Sequence, residues 1–331
     1  MRLIDPMKNG GTQRVPPFSV RGVLRVVSWL AVGAGAAGIA LDFVRLQNTL
    51  VIILVSGVPV LVLAGVIGFV GLSLLQRGRE AAVAGVLALV GIGTQLPLFV
   101  ASDVPDHGVR VIVMQANVLF DGADPNAFVR QVRDNHVEIL TVDELTPGAA
   151  EAFGKAGLGE LLPYRYLEPA TFATGTGIYS RYPLSDLVSH DGYLMNQLSA
   201  SIDVPRLGPV TVHALHPIQP LYGSADWVSE LNRVRGILDR SNLRQPAIAG
   251  GDFNATFDHA QFRALLDRFE DATDQAGAGY LLTYPTDKWI APAVGVDHIL
   301  VSGGVATEVR TVDLPGSDHR ALVATVTLTG T

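Results

Sequence analysis

The chain of 331 residues has no cysteine and only three lysines. The first absence excludes disulfides, thiolate zinc sites and cysteine nucleophiles, and it leaves the compartment open. Charge is also scarce: 17% of residues are charged against 48% apolar, with a mean hydropathy of +0.33. Such values are high for a soluble enzyme and place part of the chain in lipid. Eight Lys/Arg and three Asp/Glu precede Asp103, whereas sixteen and twenty-eight lie from Asp103 onward. Proteins that hold long nucleic acid neutralise phosphates with stripes of Lys and Arg. Past Asp103 the only lysines are Lys155 and Lys288 and no basic run occurs, which disfavours a long polyanion as substrate. No repeat or low-complexity tract is present.

What the first third does have is uncharged length. Sixteen residues separate Arg25 from Asp42, 31 separate Arg45 from Arg77, and 22 separate Glu80 from Asp103. A helix needs about 20 apolar residues to cross the hydrocarbon core. The second and third runs suffice, and Phe43, Val44 and a snorkelling Arg25 complete the first. Three spans are therefore expected, over about residues 26–44, 49–75 and 81–102. Buried core helices are the rival reading, and a cleaved signal peptide is a rival for the first run. Gly33, Gly35, Gly38, Gly57, Gly65 and Gly68 offer faces for close helix packing, and Pro59 is expected to kink the second helix near mid-membrane.

Basic loops stay cytoplasmic. Arg2, Lys8, Arg14, Arg21 and Arg25 outweigh Asp5 in the tail, Arg77 and Arg79 mark the second loop, and the first loop has only Arg45. This predicts a multi-pass cell-membrane protein with a cytoplasmic tail (1–25), a three-helix anchor (26–102), a linker (103–108) and an extracytoplasmic domain (109–331). Asp42 near a span end is the only acidic or histidine residue within the runs. That favours an anchor over a transporter.

From Val109 the pattern becomes alternating strands and helices, the mark of one α/β domain. Val109–Met114, Val137–Val142, Val210–His216, Ala247–Gly250, Val296–Val301 and Ala321–Leu328 read as strands. Asp124-Pro125 and Asp258 read as helix starts, and Trp227–Arg240 as a helix. Most strands deliver polar residues at or just past their ends: Asn117, Glu144, His216, Gly251-Asp252-Phe253-Asn254 and Asp297-His298, with Ser317-Asp318-His319 on a loop. Carboxylates, carboxamides and imidazoles together suit a hard divalent cation, a phosphate and an attacking water.

Each fragment has a plainer reading too. Gly250 and Gly251 let the backbone turn and approach a phosphate, while Asp252 and Asn254, two apart, point the same way to orient water or a phosphoryl oxygen; an Asx-turn is the alternative. Glu144 suits a Mg²⁺ ligand or a surface acid opening a helix at Thr146-Pro147. Asn117 suits metal-site support or a turn. Asp297 is placed to orient His319 and keep it charged, although an Asp-His pair alone also fits a solvated turn. His213 and His216 differ in strand parity, so one of them faces the site. His216, before Pro217, is the choice, and His213 is expected to be packed or at the surface. His107, His136, His190 and His259 read as surface residues.

In order, Gln115-Ala116-Asn117, Glu144, Gly175-Thr176-Gly177-Ile178, His216-Pro217, Gly251-Asp252-Phe253-Asn254, Val296-Asp297-His298-Ile299-Leu300 and Ser317-Asp318-His319 resemble the endonuclease/exonuclease/phosphatase superfamily, over roughly Val109–Thr327. The membrane-anchored bacterial members are the nearest in layout. The resemblance implies a four-layer α/β sandwich, deoxyribonuclease I-like, that hydrolyses phosphoesters with Mg²⁺ or Mn²⁺. It further implies that Glu144 holds the metal with Asn117 and Asp318, and that Asp252 and Asn254 set the attacking water. His319, paired with Asp297, would stabilise the transition state, and His216 would contact the phosphate or leaving oxygen. Where the family commonly has Gln before the metal Glu, this chain has Asp143, which is expected to add negative charge beside the cation.

The reading is a membrane-anchored, metal-dependent phosphodiesterase or phosphatase acting outside the cytoplasm. Lipid head groups or small phosphoesters are favoured over nucleic acid, the bilayer is a partner, and no protein partner is inferable. The alternatives are a non-catalytic module that binds a phosphorylated ligand with the same fold, and an extracellular nuclease.

Overall fold

Ser19 accepts the Gly22 N–H and opens the first helix, α1 (Val20–Asp42). The computed structural model describes residues 19–242, 244–289 and 291–329. Arg2, Asp5, Lys8 and Arg14, part of the expected orientation signal, lie outside the described residues. The next apolar segment is two helices, α2 (Thr49–Val55) and α3 (Val58–Leu74), bent by 58°. The break falls at Ser56-Gly57, ahead of Pro59. Pro59 instead sits in the first turn of α3, where its missing N–H has no helical partner to lose. Helix α4 (Gly78–Gln95) continues through a 3-10 turn, Leu96–Phe99. The α1 segment and Gly78–Phe99 are each long and apolar enough to cross a membrane, and the bent pair is a third if it counts as one span.

Small residues let α1 and α3 touch. A Cβ on Gly35 would lie 2.6 Å from the Gly65 Cα, and one on Gly68 would lie 2.5 Å from the Ser28 carbonyl oxygen. Gly38 packs on Leu61 in the same way, whereas Gly33 faces open space.

Beyond Gly108 the described residues form twelve strands. They are β1 (Val109–Asn117), β2 (Ile139–Asp143), β3 (Tyr164–Glu168), β4 (Thr176–Ser180), β5 (Leu184–Ser189), β6 (Leu198–Val204), β7 (Gly208–Ala214), β8 (Ala247–Asp252), β9 (Glu270–Asp271), β10 (Asp297–Ser302), β11 (Gly304–Val312) and β12 (Ala321–Leu328). Two six-stranded sheets result, ordered β11-β12-β1-β2-β4-β3 and β5-β6-β7-β8-β10-β9. Helices α5 (Pro125–Asp134), α6 (Pro147–Lys155) and α7 (Leu158–Leu161) cover the first sheet. The long α8 (Ser224–Asp239) and short α9 (Ala260–Arg263) cover the second, and α10 (Ala272–Gln275) lies near its edge.

Side-chain parity explains the sandwich. Val111 and Val113 of β1, Ile139 of β2, Ile248 of β8 and Ile299 of β10 meet in one core between the sheets. Their neighbours Met114, Ala116 and Leu140 turn outward onto Phe128, Val132 and Phe153 of α5 and α6. Ala249 and Leu300 likewise face Trp227, Leu231 and Val234 of α8. Asp124 caps α5 by accepting the Ala127 N–H, as its sequence predicts. Asp258 does not cap α9. His259 holds that position, and the Asp258 carboxylate instead accepts from Gln95 Nε2 at 2.8 Å.

That contact is one of several tying the helical lead to the sandwich. Arg263 pairs with Asp42 at 2.9 Å, Ile52 packs into the core under α8, and Gly279 N donates to Leu98 O at 2.7 Å. His259 is buried, not at the surface: Nδ1 accepts from Thr256 N and Nε2 donates to Ile52 O at 3.0 Å. That pattern needs a neutral ring, and burial accordingly drops its pKa to about 4. His190 is also only partly exposed and bonds Ser199.

Candidate active site

The parity that fills the core also aims polar residues into one end of it. Counting by twos from Val111, β1 ends with Gln115 and Asn117 on the inner face; β2 ends with Thr141 and Asp143, β8 ends with Asp252, and β10 starts with Asp297. All six are buried between the sheets. His298 takes the opposite parity and points away, donating from Nδ1 to Asp271 at 2.5 Å and from Nε2 to Ala255 O at 2.9 Å. With both ring nitrogens donating, burial is outweighed by Asp271 and its pKa is raised. His213 likewise faces out, between Ser199 and Ser241. His216, past the strand end, reaches the site with Nε2 3.9 Å from Asp252 Oδ2.

The sequence suggests that Gly250 and Gly251 admit a phosphate. In the structure they admit the rest of the protein. A Cβ on Gly250 would sit 2.2 Å from Thr141 Oγ1 on the facing sheet, and one on Gly251 would sit 1.7 Å from the Leu215 carbonyl oxygen. Gly251→Ala is expected to cost about 3 kcal/mol of stability, because a backbone carbonyl must move. Thermal unfolding in detergent checks this, and a loss under about 0.5 kcal/mol would contradict the crowding.

Asn117 organises the carboxylates. Its Nδ2 donates to Glu144 Oε1 at 3.1 Å and to Asp252 Oδ2 at 3.2 Å, while its Oδ1 accepts the Leu119 N–H at 3.0 Å. The amide therefore turns its donor side, not its oxygen, toward the acids. Glu144 carries a backbone φ of +59° and Asn254 one of +50°. A left-handed φ is uncommon for Glu and costs about 1–3 kcal/mol, a form of strain that clusters at functional sites.

His319 Nδ1 donates to Asp297 Oδ2 at 2.8 Å, and its Nε2 lies 3.7 Å from Asp252 Oδ2 and 4.0 Å from Asp318 Oδ1. Burial opposes charging of this ring, but Asp297 and then Asp252 outweigh it and lift its pKa to about 10. Burial also favours protonation of Asp297, yet His319 holds its pKa below the ordinary value. Asp252 is pushed up to about 7 by burial, with His319 opposing and Asp297 adding to the rise. Burial is likewise the main cause of the raised pKa of Glu144 and Asp318.

Asp143 is fully buried and braces the two sheets, accepting from Gln115 Nε2 at 2.8 Å and from Asp252 N at 2.7 Å. Burial raises its pKa well above the ordinary carboxylate value, which opposes the negative charge expected there beside a cation.

The residues fit a divalent cation. Glu144 Oε2 and Asp318 Oδ1 are buried oxygens with no hydrogen-bond partner, and both residues line one cavity of about 580 Å³ with Asp252, Asn254, His216 and His319. Orphaned acid oxygens in a shared cavity are what a hard cation satisfies. Among the described residues, Asp252, Asp297 and His319 form a group whose ligand atoms lie within 4.8 Å of one another. There, His319 already spends Nδ1 on Asp297 and is held as imidazolium, which suits it to a phosphate better than to a metal.

Several positioning residues escaped the sequence reading. Gln197 clamps His216 by accepting its N–H and donating to its C=O, both at 2.7 Å. Ser317 Oγ donates to Asn117 O and accepts from His319 N, fixing the loop. The Tyr284 ring lies 4.8 Å from the His319 ring. Gln197 and Tyr284 sit in no motif and nothing in the sequence singles them out, while Ser317 belongs to the Ser317-Asp318-His319 motif but its two contacts are set by packing.

This two-sheet sandwich with a buried acidic cluster places the chain in the endonuclease/exonuclease/phosphatase family, whose model matches residues 114–319. Members of that family are generally hydrolases of phosphoester bonds and typically use divalent metal ions. Among individual proteins, the chain is similar to the UPF0294 protein VV2535 of Vibrio vulnificus (strain YJ016), 25% identical over 244 residues that cover 73% of this chain and 71% of that one. Its fold is similar to an endonuclease/exonuclease/phosphatase from Beutenbergia cavernae DSM 12333, at TM-score 0.52 and 22% identity, covering 67% of this chain and 72% of that one. It is also similar to D. rerio TDP2 complexed with a single-strand DNA product, at TM-score 0.53 and 16% identity, covering 66% and 98%.

Proposed function

We propose that the chain is a membrane-anchored, divalent-metal-dependent phosphoesterase that works outside the cytoplasm. The observation that carries the chemistry is the pair of unpartnered buried oxygens, Glu144 Oε2 and Asp318 Oδ1, in the cavity that also holds Asp252, Asn254, His216 and His319. Glu144 and Asp318 would hold Mg²⁺ or Mn²⁺, with Asn117 supporting Glu144 as a hydrogen-bond donor. Bound there, the cation would supply Lewis acidity and partial neutralisation of the phosphoryl charge.

The chain's own residues do the rest. Asp252 accepts the proton of the attacking water, held in place by the Asn254 N–H at 2.9 Å. Asn254 donates its Nδ2 to Pro217 O and so fixes its own amide at the cavity wall. His319, kept cationic by Asp297, faces the charge that builds on the phosphoryl oxygens. His216, buried and held neutral with a pKa lowered by burial to about 4, contacts the phosphate or the leaving oxygen. Among the described residues lining the cavity there is no Lys or Arg. That favours a singly charged phosphodiester over a dianionic monoester.

The anchor reading rests on the helices and their polarity. Arg25 pairs with Glu80 at 2.8 Å at one end of the helical lead, and α1 reaches Asp42 and the sandwich about 25 Å further on. Arg25, Arg77 and Arg79 thus lie at the end away from the domain and only Arg45 lies near it, the balance a cytoplasmic tail and an extracytoplasmic domain would show. The domain bounds proposed are the tail to residue 25, the anchor at 26–102, the linker at 103–108 and the enzyme from 109.

Full-length protein in detergent is expected to hydrolyse bis-p-nitrophenyl phosphate with Mg²⁺ or Mn²⁺ and to lose that turnover in EDTA. Turnover indifferent to EDTA would end the metal reading. Ligand binding with no turnover would favour the non-catalytic module. A C-terminal reporter active only in the cytoplasm would reverse the topology.

A further inference from the structure

We infer that the substrate is a phosphodiester lipid taken from within the bilayer, with one acyl chain lying in a groove between α3 and α4 while its phosphate occupies the cavity. The inference rests on the phosphoesterase reading and narrows its substrate.

Two cavities share a wall at Ser56, Val60 and Ala293. The catalytic cavity is walled on one side by Ile53, Ser56, Gly57 and Val60, residues at the bend between α2 and α3. An apolar groove of about 490 Å³ begins at the same Ser56 and Val60, and Ala293 borders both spaces. From there it runs along Leu63 and Val66 of α3, opposite Ile92 of α4 and Leu96 of the turn beyond. From Pro59 to Val66 is about 10 Å of helix, so the groove follows the start of a chain and leaves the remainder in lipid. Leu63 and Ile92 are exposed, as side chains facing a hydrocarbon occupant would be.

The bend makes this junction. Ile52 of α2 is held in the sandwich core and by His259, while α3 turns 58° away into the helix bundle. The α4 side is fixed separately: Gln95 donates to Asp258 and accepts from Tyr280, and the Phe99 ring meets the Tyr280 ring edge-on at 5.3 Å. A soluble substrate has no use for a path from an acidic cavity down the side of a membrane helix. An amphiphile does. Its chain is already in an apolar medium, so the groove gains little from burial and acts by holding the phosphodiester in register with Asp252 and His319.

The test uses the full chain. Leu63→Trp and Ile92→Trp, made separately, fill the groove at positions distant in sequence from every cavity residue assigned a role. Each is expected to lower the ratio of phosphatidylglycerol turnover in vesicles to bis-p-nitrophenyl phosphate turnover at least ten-fold. In parallel, a phosphatidylglycerol bearing a diazirine on its acyl chain is photolysed with the wild-type protein in EDTA. Adducts are expected on the segments around Val60–Val66 and Ile92–Phe99, and are expected to be lost in both variants. An unchanged turnover ratio in both variants, or adducts spread evenly over the lipid-facing sides of α1, α3 and α4, overturns the groove. If wild type turns over neither ester, the phosphoesterase reading fails, while the adduct map still decides the groove. If it turns over only the soluble ester, the lipid inference fails alone.

Discussion

Replacing Glu144 by Gln is expected to cut Mg²⁺-dependent phosphodiester hydrolysis by about a thousand-fold or more, while leaving the metal-free protein at least as stable as the parent. The loss corresponds to about 4 kcal/mol of transition-state stabilisation, the size expected when a Lewis acid is displaced. The stability half of the prediction comes from burial. Glu144 Oε2 has no hydrogen-bond partner, and desolvation raises the carboxyl pKa despite the Asn117 bond and the nearby His319 charge. A raised acid pKa means that the folded state holds the proton more tightly than the unfolded chain does. Stability from this group is therefore full at pH below the unfolded value and is lost as pH rises through the folded one. At neutral pH the parent without metal carries that cost. Gln keeps an oxygen for Asn117 Nδ2 and cannot ionise, so the cost disappears. Metal should reverse the order: at a hundred times its Kd, a cation stabilises the parent by about 2.7 kcal/mol and the variant hardly at all. Thermal unfolding with and without Mg²⁺ reads both halves. A variant as strongly stabilised by Mg²⁺ as the parent would remove Glu144 from the metal.

Much of this site can be read from sequence because strands encode position locally. A period of two puts Asn117 and Asp297 on the same inner face as Val113 and Ile299, and it separates His213 from Ala214. Strand ends then follow from Pro217 and from the Asp-Phe-Asn after Gly251. Contacts set by packing between distant segments leave no such trace. Gly250 is required by Thr141, 109 residues earlier, and nothing around either residue announces it. His259 sits in a polar stretch and reads as exposed, yet it is buried because α2, two hundred residues before it, docks there. Asp143 reads as a charge because its only local context is a strand end. Its raised pKa follows first from burial between the sheets, with the charges of Asp252 and Asp297 on the facing sheet adding to the rise. The helical lead is legible as hydropathy, whereas the 58° bend lies at Ser56-Gly57, beside the point where Ile52 packs into the sandwich and Ser56 and Val60 line the cavity.

Activity is expected to follow a bell between about pH 7 and pH 10, and Asp252→Asn is expected to remove its rising limb together with about a thousand-fold of rate. Burial raises the Asp252 pKa to about 7, with His319 opposing and Asp297 and Glu144 adding to the rise. Below that value Asp252 is protonated and cannot take a proton from water, so kcat/KM climbs as pH rises through it. His319 keeps its proton to about 10 because Asp297 and Asp252 outweigh its burial. Above that value the imidazolium is lost and the rate falls. The competent state, Asp252 ionised beside a charged His319, is thus the one the two groups stabilise in each other across 3.7 Å. His319→Gln should abolish the falling limb and cost a hundred-fold to a thousand-fold, the usual loss for one donor aimed at developing charge. A dication at Glu144 and Asp318 adds positive charge near Asp252, so raising Mg²⁺ should move the rising limb to lower pH and leave Asp252→Asn flat. Asn at 252 can accept from Asn117 Nδ2 or from Asn254 N but not from both through one carbonyl, so about 1 kcal/mol of stability should go with it. The pH profiles of the three proteins at two Mg²⁺ concentrations separate these effects, and an unchanged rising limb in Asp252→Asn would assign the proton acceptor elsewhere.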